Sequence, residues 1–209
     1  MSLFNRTKTD TDAINPAATH LVLGQPVGGP WPAGTEVIAF GMGCFWGAEK
    51  KFWQVPGVVC TSVGYQGGRT ESPSYKQVCR GITGHAEVVQ VAFDPTQVEL
   101  LELLRVFWEH HDPTQGDRQG NDIGTQYRSA VFCWSAEQKA LALRTREAYA
   151  GALAALGFGA VTTQISMVDE AAAVNRYWMA EDYHQQYLVK NPNGYDCHSE
   201  TGIALPALT

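Results

Sequence analysis

In the stretch Gly41-Met42-Gly43-Cys44-Phe45-Trp46-Gly47, one cysteine stands between glycines on one side and two large aromatics on the other. A β-type run, TEVIAF, ends just before it, and Phe45, Ala48, Phe52 and Trp53 follow at helical spacing. The sulfur is therefore expected near a helix N-terminus, where unpaired N–H groups and the helix dipole favour an anion and lower a thiol pKa. Glycines beside it let a substrate backbone approach, and Phe45 with Trp46 could wall an apolar pocket. The competing fate is that of a small core hydrophobe, which is how most free cysteines are used. That fate suits Cys60, Cys79 and Cys133 better, since they lie in apolar or β-type context without glycine framing.

A second chemical group lies in HAEVVQVAF, where period two puts Glu87 in apolar company whichever face is buried. Desolvation would raise its pKa and keep it protonated near neutrality, as a proton donor requires. A strand-end carboxylate capped by backbone or paired with an arginine fits the same pattern equally well. Tyr75 follows a Pro-Ser turn and Tyr127 closes a long loop; either phenol could donate to an oxygen in a pocket, and each taken singly reads as a half-buried core residue. His110, His111 and His184 lack a second ligand pair at metal spacing, so no metal is expected and His184 reads as a satisfied helix histidine. No phosphate-cradling glycine motif occurs. Thiolate, neutral carboxylic acid and phenols around an apolar pocket are what the residues ask for, and composition does not name the reaction.

The elements that must hold these groups can be read from periodicity. Residues 1–34 are polar, then Gly- and Pro-rich without periodicity, and are expected to form an extension over the surface of a single domain spanning 35–209. Strands are expected at Thr35–Phe40, Val58–Tyr65, His85–Phe93, Ser129–Trp134 and Val161–Val168, with helices after Cys44, over Val98–Trp108, over Ala136–Leu156 and over Ala180–Val189. The polar loop from Asp112 interrupts this pattern, and loops of that length inside a compact domain are usually functional or disordered. Interleaving without a strict βαβ rhythm favours an α+β sandwich with a mixed or antiparallel sheet.

Composition excludes several function classes. A formal net charge of −6 with scattered Lys and Arg offers no basic stripe for nucleic acid. No apolar run approaches a membrane span and no secretory signal opens the sequence, so a cytoplasmic soluble protein is expected. The five cysteines are odd in number, spread over the chain and free of CxxC, unlike a secreted disulfide framework or a zinc knuckle.

With GMGCFWG, GYQGG, TGHAEVV, FWEHHDPTQGDRQGNDIGTQYRS and YHQQYLVKNPNGY in this order, the chain resembles type A peptide methionine sulfoxide reductases from about Glu36 to about Ile203. The resemblance implies a ferredoxin-like two-layer α+β sandwich, a mixed sheet flanked by helices, with irregular N- and C-terminal extensions. It implies reduction of the S-epimer of methionine sulfoxide, free or in proteins, without metal or organic cofactor. Cys44 matches the family's nucleophile, Phe45 and Trp46 its methyl pocket, Glu87 its proton donor, Tyr75 and Tyr127 its oxygen-binding phenols, and Asp122 the carboxylate that helps position substrate. Cys44 would become a sulfenic acid, a species that condenses readily with a second thiol. The match loosens at that thiol. Family members commonly place a resolving cysteine directly after NPxGY, whereas here Asp196 intervenes before Cys197 and no cysteine follows. The implied partner is thioredoxin or another dithiol that attacks a Cys44–Cys197 disulfide directly. A cysteine acyl-transferase or protease would need an imidazole beside Cys44 and leave Glu87 without purpose; a non-catalytic peptide-binding module would consume no thiol.

Overall fold

The computed structural model describes residues 15–171, 175–196 and 199–208. In chain order come β1 (Glu36–Gly41), α1 (Phe45–Trp53), β2 (Val58–Gln66), α2 (Tyr75–Cys79), β3 (Ala86–Phe93) and α3 (Leu100–Glu109). A small hairpin, β4 (Arg118–Gln119) and β5 (Asp122–Ile123), leads through a 3-10 turn at Thr125–Tyr127 into β6 (Ala130–Cys133). α4 (Ala136–Ala155), β7 (Gln164–Met167), β8 (Trp178–Met179), a 3-10 turn at Asp182–His184 and α5 (Tyr187–Lys190) complete the chain.

Six strands form one sheet in the order β7-β6-β1-β3-β2-β8. Every pairing is antiparallel except β6 with β7, which α4 joins as a parallel crossover. The molecule is thus an α+β fold with a mixed sheet and flanking helices. Alternation sorts the strand residues as the sequence suggests. Ile38, Phe40, Val63, Val89, Val91, Phe93 and Val131 share the main core with Phe52 of α1, Leu103, Leu104 and Phe107 of α3 and Tyr149 and Leu153 of α4. Ala39, Ala86, Val88, Ala130 and Phe132 face the other way into a smaller cluster covered by Trp134, Val168 and Tyr177. Phe40 joins sheet to helices, its ring stacked on Phe52 at 4.8 Å and on Phe107 at 5.3 Å.

Three regions depart from the sequence reading. The expected helix over Ala180–Val189 is broken into a 3-10 turn and one turn of α5, because Gln186 adopts a left-handed conformation at φ +47°. α2, β8 and the β4–β5 hairpin are too short to carry a periodic signal and were not expected. From Asn15 the extension does more than lie on the surface: His20 and Val27 are fully buried, and His20 Nε2 lies 2.8 Å from Thr61 Oγ1 of β2. The tail is likewise held, since Leu205 N–H donates to Glu109 Oε1 at 2.8 Å and Tyr149 Oη donates to the Ile203 carbonyl at 3.0 Å. Among the described residues no helix is long and apolar enough to cross a membrane.

Phe40 sets the spacing of α1 on the sheet, so its removal tests whether this contact holds the core together. Phe40→Ala is expected to cost about 3–5 kcal/mol in urea unfolding, the loss typical of a fully buried phenylalanine. A variant as stable as the parent would show that the stacked rings are not where the core's stability resides.

Candidate active site

Cys44 is the N-cap of α1, buried, in the turn where β1 leaves the sheet. Two glycines make that turn. Gly41 has no room for a side chain, as a Cβ would press on the Arg128 carbonyl at 3.1 Å and the Glu87 carbonyl at 3.3 Å. Gly43 stands at φ +91°, and a Cβ there would meet the Gln119 side chain at 2.7 Å. Gln119 closes the polar loop over this turn by accepting from Asp112 N–H and donating to Asp112 O, both at 3.0 Å. The loop is therefore ordered, and it delivers β5 and Tyr127 to the same place.

Glu87 lies beneath the helix N-terminus, where its Oε2 accepts from Phe45 N–H at 3.2 Å. It shares the inner face of β3 with Val89, Val91 and Phe93, so it is almost wholly buried. Burial pushes its carboxyl up to about 8; the Phe45 bond opposes this and the nearby Asp122 charge adds to it. At neutral pH the group is mostly protonated. Tyr65, directly opposite Glu87 across the β2–β3 ladder, donates from its phenol to Glu181 Oε2 at 2.7 Å. Glu181 Oε1 accepts from Tyr75 N–H at 2.8 Å, which fixes the start of α2. Burial, followed by the Glu87 charge, holds the Tyr75 and Tyr127 phenols above their usual range, so both carry their protons.

An aromatic enclosure borders these groups. Phe45 is buried, with Tyr65 at 6.0 Å and His184 at 5.0 Å between ring centres. Trp46 is half-buried, stacked on Tyr187 at 3.8 Å, and its indole N–H donates to His184 Nδ1 at 3.0 Å. Burial drives the His184 imidazole down to about 3, so it is neutral, and accepting at Nδ1 puts its hydrogen on Nε2. Asp122 stands at the rim, one buried carboxylate oxygen without a hydrogen-bond partner and the other accepting from the Tyr195 phenol at 3.1 Å.

The structure thus gathers Cys44, Glu87, Tyr75, Tyr127, Phe45, Trp46 and Asp122 around the first turn of α1. Cys197 lies outside the described residues. The tail leading to it is tied down next to the site by the Tyr195 bond and by Lys50 Nζ to Asp196 Oδ2 at 3.3 Å. Cys60 and Cys133 are buried as expected, and burial raises both thiols to about 12. Cys79 differs from the core cysteine expected: it is exposed at the end of α2, in hydrogen-bond contact with the Tyr75 phenol. His184 lies in a 3-10 turn rather than the expected helix and is not fully satisfied: Nδ1 accepts from Trp46, while its buried Nε2 has no hydrogen-bond partner. Glu181, Tyr187, Gln119 and Arg128 were missed. Arg128 donates to the Thr125 carbonyl at 2.9 Å and the Gly84 carbonyl at 3.1 Å, pinning the turn that carries Tyr127 against the entry to β3. The one available signal was the polar run AEDYHQQY, with polar groups on both faces of what reads as an amphipathic helix.

A cysteine at a helix N-cap, a buried carboxylic acid beside it and two protonated phenols form the arrangement of a thiol-dependent enzyme. Comparison with known proteins specifies the class. Residues 36–207 match the family model described as peptide methionine sulfoxide reductase. The chain is 56% identical over 193 residues to the peptide methionine sulfoxide reductase MsrA of Brucella melitensis biotype 2, covering 92% of this chain and 86% of that protein. Methionine sulfoxide reductase A of Corynebacterium diphtheriae superposes with a TM-score of 0.81 at 51% identity, over 92% of this chain and 91% of that one. Mxr1 of Saccharomyces cerevisiae in reduced form superposes at 0.72 and 36% identity, over 81% and 94%. The chain belongs to the peptide methionine sulfoxide reductase family and is an enzyme of that class.

The Glu87 environment is testable without any substrate. A ¹³C titration of side-chain carboxyl groups, assigned with Glu87→Gln, is expected to show one glutamate with a midpoint near 8. A midpoint in the ordinary carboxylate range would show that the Phe45 bond, rather than burial, controls the group.

Proposed function

We propose that this protein reduces the S-epimer of methionine sulfoxide, free or within proteins, to methionine, and so repairs oxidative damage. The observation that carries the proposal is Glu87, a protonated carboxyl group hydrogen-bonded to the residue after a helix-capping cysteine. The Cys44 thiolate attacks the sulfoxide sulfur while Glu87 passes its proton to the sulfoxide oxygen, held by the Tyr75 and Tyr127 phenols. Without that proton the oxygen would have to leave as an oxide dianion. Phe45 and Trp46 receive the methyl group, and Asp122 orients the substrate at the rim. That attack forms a bond between Cys44 Sγ and the substrate sulfur as the protonated oxygen departs as hydroxide; hydroxide then attacks the Cys44 sulfur and breaks this bond, so that one equivalent of methionine leaves and Cys44 is left as a sulfenic acid. The Cys197 thiol then condenses with it, releasing water and forming a Cys44–Cys197 disulfide. Thioredoxin or a similar dithiol reduces that disulfide and is itself oxidised. Electrons and atoms balance among thiols, so the proposal includes neither metal nor organic cofactor.

The proposal also takes residues 35–209 as one catalytic domain with 1–34 as an extension, supported by the family match beginning at residue 36. It takes the architecture as a ferredoxin-like two-layer sandwich, supported by the order β6-β1-β3-β2 and by α1, α3 and α4 sharing one core face. A cytoplasmic location completes the reading.

Mixing the enzyme with a methionine sulfoxide peptide and dithiothreitol is expected to remove one oxygen from the peptide by mass. A protease would cleave the peptide and a binding module would leave it unchanged. Glu87→Gln is expected to slow single-turnover oxygen transfer by roughly 10²- to 10⁴-fold, the usual cost of losing a general acid. Near-parental rates would leave Tyr75 and Tyr127 as the donors.

Cys197→Ser separates the two thiols. One equivalent of methionine is expected per protein, with thioredoxin-driven turnover nearly abolished and dithiothreitol giving partial rescue. Full thioredoxin-driven turnover in this variant, or a disulfide from Cys44 to another cysteine in the parent, would remove Cys197 from the resolving role.

A further inference from the structure

The extension before β1 reaches the substrate pocket through a chain of buried groups that the reaction does not use. Glu49, on α1 one turn beyond Trp46, is completely buried, with the His20 imidazole Nε2 3.8 Å from its Oε1. Three donors converge on it. Gln186 N–H reaches Oε2 at 2.8 Å, Gln186 Nε2 reaches Oε1 at 2.9 Å, and the Thr61 hydroxyl reaches Oε1 at 3.0 Å. Thr61 in turn meets His20 Nε2 at 2.8 Å. The direction of that last bond is set by the extension itself: Val22 N–H and Leu23 N–H both donate to His20 Nδ1 at 3.1 Å, which leaves the hydrogen on Nε2. Burial lowers the imidazole to about 4, so it is neutral at physiological pH. The run is therefore directional, from His20 N–H to Thr61 O–H to Glu49, whose carboxyl burial raises to about 7 against the opposing Gln186 and Thr61 bonds.

What Glu49 holds is the left-handed residue that breaks the last helix. Gln186 sits at φ +47° and ψ +43°, a conformation a non-glycine residue keeps only when its surroundings impose it. Glu49 grips both its backbone and its side chain. On either side of Gln186 stand the two groups that fix Trp46: His184, which accepts the indole N–H, and Tyr187, which stacks on the indole face. Gln185 completes the clamp by bonding to both Val63 N–H and Val63 O and to the Ala180 carbonyl.

We propose that His20 and Thr61 are positioning residues for the substrate pocket: through Glu49 they hold Gln186, and through His184 and Tyr187 they set the Trp46 ring against the sulfoxide methyl group. The inference rests on the reading of Trp46 as a wall of that pocket. It gives the extension a task in substrate recognition rather than in the chemistry at Cys44. Loss of the relay therefore weakens half-saturation while leaving the chemical step intact.

Thr61→Val removes the hydroxyl at nearly constant shape, Thr61→Ser restores it, and His20→Ala breaks the relay from the extension, leaving every strand residue unchanged. In single-turnover reduction of a methionine sulfoxide peptide, Thr61→Val and His20→Ala are expected to raise the half-saturating concentration by up to about tenfold, the equivalent of one net hydrogen bond. Their saturating rate and Cys44 alkylation by iodoacetamide stay parental, and Thr61→Ser behaves as the parent. A partly unfolded variant lowers amplitude rather than half-saturation, so simple instability reads differently. The Trp46 indole N–H proton resonance, assigned with Trp46→Phe, provides a readout independent of activity. It is expected to shift and exchange faster with water in Thr61→Val and His20→Ala, and to stay at its parental position in Thr61→Ser. Unchanged half-saturation, an unmoved Trp46 resonance, or a Thr61→Ser protein as impaired as Thr61→Val would overturn the proposal. Failure of the parent to reduce the peptide would instead sink the reaction assigned above, and the Trp46 resonance would still decide the relay.

Discussion

A carboxyl group kept dry beneath the first turn of a helix is the constraint on which the site depends. An ionised Glu87 in this position would lose hydration worth several kcal/mol, whereas the neutral acid needs only its hydrogen bonds satisfied. The positive end of α1 and the Phe45 N–H favour the anion, yet burial outweighs them and the group ends at about 8. A dry pocket tolerates one negative charge far better than two. With the proton on Glu87, the field of the helix N-terminus is left to the Cys44 sulfur. On the proposed mechanism, the acid and the nucleophile thereby occupy adjacent positions without competing for the same charge.

Sheet register makes this possible. β1 and β3 pair with Phe40 opposite Val89, so the chain turns away at Gly41 just where β3 presents Glu87. The β2–β3 ladder puts Tyr65 opposite the same residue, and Glu181 then ties the Tyr65 phenol and the Tyr75 backbone together. One residue of slip in either ladder would turn Glu87 toward the smaller cluster with Ala86 and Val88 and take the proton away from the helix. The hydrophobic alternation of β3 thus fixes the position of Glu87 beneath the helix as well as the packing of the core.

Much of this was legible in the sequence, and the boundary of what was legible is physical. Cys44 and Glu87, which the structure brings together, could be singled out because glycine framing and period-two alternation are local signals, complete within a few residues. The long strands and helices were found for the same reason. Tyr75 and Tyr127 could not be told from core tyrosines by pattern; only the family resemblance singled them out. Trp46 was visible, but the groups that hold it were not, because His184 and Tyr187 lie far along the chain in a segment whose spacing imitates a helix. The break at Gln186 has no local cause. The residue is held from across the core, where Glu49 accepts from both its backbone and its side chain, and a tertiary contact of that kind leaves no periodic trace in the sequence. The buried His20 was unreadable for a related reason, since a single histidine in an aperiodic, Pro- and Gly-rich stretch reads as solvent-facing until its partners are known.

Several backbone stretches here are held by amide side chains. Gln119 closes its loop by bonding both to Asp112 N–H and to Asp112 O, and Gln185 does the same at Val63 while also donating to Ala180 O. Gln138, at the start of α4, accepts from Trp134 N–H and donates to Val37 O. In each case a backbone donor and a backbone acceptor are satisfied together by one neutral amide group. A carboxylate could only accept and a lysine could only donate, and either would add a full charge beside a carboxyl group whose protonation depends on how few charges surround it. The amide anchors near Cys44 and Glu87 therefore fix backbone without adding a full charge, which leaves the charge balance of the pocket to burial, to the helix end and to the neighbouring Asp122 and Glu181.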